Sequence, residues 1–218
     1  DIDNDSWLDL MLVGEFLPIT IFKNKEGIIN HQPSTINHSS GWWNSLTAGD
    51  FDNDGDTDYL AGNLGLNARF RDVSVEEPLC VYAKDFDKNG RIDPVICYYI
   101  EGENHISPSR DMLIKQINSM RVRFKTYQEY GEAGFDRSFT KAEIADAMVL
   151  KSETFASYYI ENKGDGNLEM QQLPIEAQIA PIYGMLVEDF DKDGNLDALM
   201  VGNSYATQTS LGQYDASK

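Results

Sequence analysis

Between Ala48 and Leu60 the chain reads Ala-Gly-Asp-Phe-Asp-Asn-Asp-Gly-Asp-Thr-Asp-Tyr-Leu. Carboxylates this dense repel one another, and a fold that keeps them together needs a cation between them. Asp50, Asp52, Asp54 and Asp58 fall at loop positions one, three, five and nine, with Gly55 at position six. A glycine there permits the positive φ that folds alternate side chains inward. Such a cage suits calcium, which takes roughly six to eight oxygens at about 2.3–2.6 Å from flexible carboxylates and carbonyls. Asp56, at position seven, supplies its backbone carbonyl.

The pattern recurs, and the recurrence carries the argument. Asp85, Asp87, Asn89, Gly90 and Asp93 repeat it, with Arg91 at position seven; Asp189, Asp191, Asp193, Gly194 and Asp197 repeat it again, with Asn195 at position seven. Each of these three copies has Phe at position two. A weaker copy opens the chain as Asp1, Asp3, Asp5 and Asp9, with Ser6 in place of the glycine and a charged amino group on Asp1 that repels an ion. Asn89 replaces a carboxylate with a neutral amide, so the site at Asp85 is expected to bind more weakly. Solvated turns without metal would not require acids at the same offsets each time. A helical calcium hand is excluded, because its loop ends on a bidentate Glu at position twelve, where this chain has Ala61, Ile96 and Met200. Short apolar runs follow each loop, and they have the length of buried strands. The loops therefore belong to β-hairpins.

The net charge of −18 over 218 residues is explained by these loops. They hold sixteen of the 36 acidic residues, and the remaining twenty nearly balance 18 basic ones. Four bound calcium ions would bring the charge to about −10. A nucleic-acid partner is disfavoured, since phosphate binding needs a clustered positive surface. No apolar run reaches the length of a membrane span. The chain begins inside a calcium loop, and we expect it to be a piece of a longer protein.

A second phrase also repeats. Pro18 to Phe22, a turn at Asn24 to Gly27 and a return strand reappear as Tyr158 to Glu161, a turn at Asn162 to Gly166 and a strand from Asn167. Asn24 precedes Asp50 by 26 residues and Asn162 precedes Asp189 by 27, which makes a structural repeat of about four short strands with its calcium loop. The expected fold is all-β with a helical insertion: a partial β-propeller of about four blades, each a four-stranded antiparallel sheet. Blades with calcium loops are expected over residues 1–100, a mainly helical insertion over 101–153 and a further blade over 154–218. Within the insertion, Leu113, Ile117, Met120, Phe124 and Tyr127 form a helical stripe that predicts one helix from Arg110 to Tyr130, stopped by Gly131. Thr140 with Glu143 is a capping-box pair that predicts a second helix through Met148. Seven basic residues here, Arg110 to Lys141, read as a solvated face. Cys80 and Cys97 flank the Asp85 loop one position out of register, and are expected to be free, packed thiols.

These loops and blades resemble the FG-GAP or VCBS repeat proteins, whose integrin α-subunit relatives carry Asp-x-Asp-x-Asp-Gly-x-x-Asp loops in propeller blades. Gly49 to Gly55 and Val187 to Gly194 match that core. The phrases Pro78 to Gly90, Ser109 to Leu113 and Leu173 to Gln178 more narrowly resemble the bacterial UnbV/ASPIC-type proteins, also related to cartilage acidic protein. The resemblance implies a propeller that is extracellular, on the cell surface or periplasmic, recognises a protein or glycan, and uses structural calcium on the face away from its ligand. A closed propeller usually has about four to eight blades and this chain supplies about four, so an open arc completed by further sequence or by another chain is expected.

No catalytic constellation is visible, and a non-enzymatic module is the leading expectation. The alternative is a propeller-based lyase or hydrolase acting on carbohydrate. Its candidate groups are His31, His38 and His105, or a carboxylate pair drawn from Glu161 and Glu188. Trp42, Trp43, Tyr98 and Tyr99 offer a sugar-stacking platform, against which stands their use as core aromatics.

Overall fold

The computed structural model describes residues 1–70, 72–164, 166–205, 207 and 213–215. It is mostly β, in several small antiparallel sheets with few helices. The chain divides into two units, one made of Asp1–Arg71 with Thr154–Lys218 and the other of Asp72–Glu153. The mainly helical segment expected over 101–153 lies inside the second unit, which starts at Asp72. The Asp85 loop therefore belongs with the helical segment.

In the first unit the strand Asp58–Gly62 is buried along its whole length. It pairs across its own acidic loop with Ser45–Gly49, and on its other side with Tyr158–Asn162. The latter turns into Leu168–Gln172, completing a four-stranded sheet. Tyr59 faces Ile160, so the two hairpins come from either side of the inserted unit. A three-stranded sheet joins Leu10–Leu12, Thr20–Phe22 and Ser34–Thr35, and Gly184–Glu188 pairs with Asp197–Val201 across the last acidic loop. Four-stranded sheets were expected throughout; among the described residues two sheets reach that size, one in each unit. The core of the first unit gathers Ile2, Ile19, Ile21, Trp43, Tyr59 and Ile160. Asn63, fully buried, ties it to the returning chain: its Oδ1 accepts from Trp42 N and its Nδ2 donates to the carbonyls of Thr154 and Ala156. A buried amide is tolerated when its donors and acceptors are met in this way.

The second unit is a four-stranded sheet in the order Glu103–Ile106, Asp93–Ile100, Leu79–Lys84, Met148–Ser152, with short helices packed on it. The predicted helix from Arg110 to Tyr130 is three helices, Arg110–Gln116, Met120–Arg123 and Tyr127–Glu132. Ile117 and Phe124 sit at the breaks in extended conformation, yet they are 0% and 4% exposed. The stripe recorded burial, and the chain achieves it by turning twice, helped by Asn118 and Ser119, which favour caps over helix interiors. Tyr127, the last member of the stripe, is exposed. The Thr140–Glu143 capping box is present, but its helix ends at Ile144 and Met148 opens a strand. A further helix, Phe135–Ser138, buries Phe135 against Tyr82 and Phe139. Three of the basic residues hold helix ends; Arg123 and Arg137 remain exposed, as the solvated reading expects, while Arg110 is half-buried. Arg110 donates to the carbonyls of Phe124 and Lys125, Arg137 to that of Glu132, and Arg123 to Ser138 O and both Glu143 carboxylate oxygens.

Cys80 and Cys97 are free and buried, as expected, but they are directly opposite each other rather than one position apart. The register centres the hairpin between Lys88 and Asn89, half a residue before the centre at Asn89 that would set Cys80 opposite Tyr98.

Candidate metal centres

All four acidic loops share one hydrogen-bond frame. The carboxylate at position one accepts from the N–H at position six, in Asp1 from Ser6 (2.8 Å), Asp50 from Gly55 (3.1 Å), Asp85 from Gly90 (2.8 Å) and Asp189 from Gly194 (3.0 Å). The carboxylate at position nine accepts from the N–H at position two, in Asp9 from Ile2, Asp58 from Phe51, Asp93 from Phe86 and Asp197 from Phe190. The side-chain oxygen at position five accepts from the N–H at position seven, joining Asp5 to Trp7, Asp54 to Asp56, Asn89 to Arg91 and Asp193 to Asn195. Positive φ falls at position four in every copy (Asn4, Asn53, Lys88, Lys192) and at position six in every copy (Ser6, Gly55, Gly90, Gly194). The opening copy thus folds as the others do, with Ser6 carrying φ 74°.

The frame brings carboxylates together. In the second, third and fourth loops positions one, three and nine converge, as Asp50, Asp52 and Asp58, as Asp85, Asp87 and Asp93, and as Asp189, Asp191 and Asp197, with one oxygen from each within 4.8 Å of the others. Position five stands outside these groups. In the first loop the group is Asp1, Asp3 and Asp5 instead. Asp9 is otherwise engaged, since its two oxygens accept from Ile2 N and Asn24 N. Asp56 turns its side chain to Asn4 Nδ2 at 2.5 Å, and Asn195 Oδ1 accepts from Asn53 Nδ2 at 3.0 Å. Three loops of the first unit are thereby linked side by side.

Asp3 Oδ1, Asp50 Oδ1 and Asp87 Oδ1 are buried oxygens without a hydrogen-bond partner, in three different loops. A buried carboxylate oxygen left so is costly unless a cation meets it. Desolvation, reinforced by the neighbouring carboxylates, also pushes the Asp52 and Asp93 carboxyls up. The donor set is all oxygen, which suits a hard cation. The first loop differs, because Lys23 Nζ lies 2.7 Å from Asp3 Oδ2 and holds the Asp3 carboxyl below its usual range. An ammonium already supplies positive charge there.

Several supporting residues escaped the sequence reading. Asp58 is fully buried, and besides Phe51 N its carboxylate accepts from Tyr159 O–H (2.8 Å) and Asn162 N (2.9 Å). Burial and that bond to Asp58 push the Tyr159 phenol up. These partners lie a hundred residues away, and only the strand pairing reveals them. Lys23 likewise carries no local signal.

Glu161 is paired with Lys163 and accepts from Gln171, while Glu188 ends the strand Gly184–Glu188. His31 and His38 are exposed, and His105 lies 3.9 Å from Glu103. Trp43 is core, edge-on to Tyr158; Trp42 is half-buried against Phe16 and Phe155. Tyr98 and Tyr99, adjacent on a strand of the other unit, point to opposite faces.

Residues 1–61 match the family model of the FG-GAP-like repeat, a span that contains the first two acidic loops. No curated protein and no solved structure matches the chain. Among the described residues no helix is long and apolar enough to cross a membrane.

Proposed function

We propose that the chain is a non-enzymatic, calcium-stabilised recognition module of propeller type that works outside the cytoplasm and binds a protein or a glycan. The observation that carries the calcium reading is the common loop frame with its orphaned carboxylate oxygens. Asp50, Asp52 and Asp58 hold one ion, Asp85, Asp87 and Asp93 a second, and Asp189, Asp191 and Asp197 a third. The carbonyls of Asp56, Arg91 and Asn195 and the side chains of Asp54, Asn89 and Asp193 complete the shells. Asp1, Asp3 and Asp5 form the weakest site, in competition with Lys23. The ion's role is thermodynamic. It binds the folded cage only, so a hundredfold excess over the dissociation constant adds about 2.7 kcal/mol. Extracellular calcium sites can bind as weakly as roughly 10⁻⁴–10⁻³ M and still fill.

The FG-GAP-like repeat supports recognition outside the cell, and kinship to the UnbV/ASPIC and integrin α-type propellers belongs to the same reading. Equilibrium dialysis against calcium with metal analysis tests the sites. Three ions bound per chain, falling by one in each of Asp50→Ala, Asp85→Ala and Asp189→Ala, is the expected result; no bound calcium at millimolar concentration contradicts it. Retention on glycan and protein arrays in calcium, lost in EGTA, is the expected behaviour of the recognition face.

A further inference from the structure

The helical segment of the second unit reverses the charge of the rest of the chain. Between residues 110 and 125 five basic residues stand against one acid, in a chain of 36 acidic and 18 basic residues. Arg110, Asp111, Ile114 and Lys115 are neighbours on the surface of the helix Arg110–Gln116, and Arg121 comes from the next helix, Met120–Arg123. Together these five residues line an open cleft of about 410 Å³, with the buried Ile114 as its apolar element. That is room for a sugar ring and its substituents, within the roughly 300–1,000 Å³ of small-ligand sites.

The charge in this cleft is not spent within the fold. Among the described residues the side chains of Lys115 and Arg121 have neither an ion pair nor a hydrogen bond. Asp111, the acid of the cleft, has both oxygens engaged: Oδ1 accepts from Arg110 Nη1 at 3.1 Å and Oδ2 from Tyr127 O–H at 2.6 Å. Arg110, with a side chain 15% exposed, is fixed further by the carbonyls of Phe124 and Lys125, and its guanidinium lies 5.2 Å from the Tyr127 ring centre. Tyr127 is thereby held by its hydroxyl and by one face, yet it is 65% exposed. A large ring kept in water at a fixed angle contributes little to the core and presents its free face to a ligand.

We propose that this cleft binds a sulfated glycan. Lys115 Nζ and the Arg121 guanidinium meet the sulfate oxygens with charge-assisted hydrogen bonds, and the C–H face of the sugar stacks on Tyr127. Asp111 acts as a brace that sets Arg110 and Tyr127. A phosphopeptide would use the same cations without needing a pinned ring, so the ring favours the sugar. The chain's net charge of −18 does not forbid a polyanion, because at physiological salt charges more than about 8 Å away are largely screened. The site deepens the recognition reading and rests on it; it makes no use of calcium.

The test is titration of the full chain, in calcium and at physiological salt, with a fluorescent dextran sulfate oligosaccharide; unsulfated dextran, inorganic sulfate and a phosphoserine peptide serve as comparison probes. Saturable binding of dextran sulfate, and none of dextran, is expected. Lys115→Glu and Arg121→Glu should each weaken it about tenfold and Tyr127→Ala roughly fivefold, with the unfolding midpoint unchanged. Lys25→Glu, an equal change of charge on the strand Asn24–Lys25 of the first unit, should leave it within about twofold. All four positions are exposed, so the folded chain tolerates the changes. A loss with Lys25→Glu as large as with Arg121→Glu, binding of dextran sulfate indifferent to Lys115 and Arg121, competition by inorganic sulfate at equal sulfate concentration, or tighter binding of the phosphopeptide overturns the proposal. Retention on a glycan or protein array that survives Arg121→Glu sinks the cleft and leaves the recognition reading standing.

Discussion

Asp58 shows how much one carboxylate in these loops is asked to do. It is fully buried, caps its own loop through Phe51 N, ties the neighbouring hairpin through Asn162 N and Tyr159 O–H, and still faces Asp50 and Asp52. Truncation leaves three donors without an acceptor. We expect Asp58→Ala to cost about 2–4 kcal/mol in urea denaturation even in EGTA, and Tyr159→Phe about 1 kcal/mol. If Asp58 served the ion alone, both losses would vanish without calcium. Glu143 gives a pH signature of a different kind. The two-oxygen pairing with Arg123, aided by Thr140, holds its carboxyl down to about 2 from an ordinary 4.5. A depressed acid contributes fully above its unfolded value and loses that contribution as pH falls through its folded one. Stability should therefore decline between pH 4.5 and about 2, and Glu143→Gln should flatten that limb. The side chain is 37% exposed, so the effect should be at most about 1 kcal/mol.

At the scale of the element, the acidic loop is a backbone form that different residues adopt at different cost. Gly55 takes φ 95° with open space around an added Cβ, so Gly55→Ala is strained by conformation alone, by about 1 kcal/mol. Ser6 carries the same strain natively, and Ser6→Gly is expected to stabilise by up to about 1 kcal/mol in thermal or urea unfolding. The loops were legible in sequence because their chemistry is local: Asp, Asp and Gly at fixed offsets each meet a backbone group within nine residues. The segment from Arg110 to Tyr130 was legible only in part. Leu113, Ile117, Met120 and Phe124 are all buried as the stripe requires, but a period of burial does not say whether the backbone between its members stays helical. The Thr140 capping box was readable and is present, whereas the length of its helix was set by the strand that Met148 joins.

For the whole molecule, what sequence could not show is non-local. Tyr59 beside Ile160, Asn63 bonded to Thr154 and Ala156, and Lys23 on Asp3 join residues from 20 to about a hundred positions apart, and no period or motif encodes such pairings. The same gap hid Cys97 behind a one-residue error of register. What the loops imply for the molecule is nonetheless direct. Three carboxylate cages in one folded chain repel themselves when empty, so the ion and the fold are linked. Differential scanning calorimetry in EGTA, then with calcium restored across the millimolar range and magnesium as control, measures that linkage. We predict a midpoint that rises by several degrees with calcium and far less with magnesium. An unchanged midpoint, in protein that metal analysis finds free of calcium, would contradict the central claim.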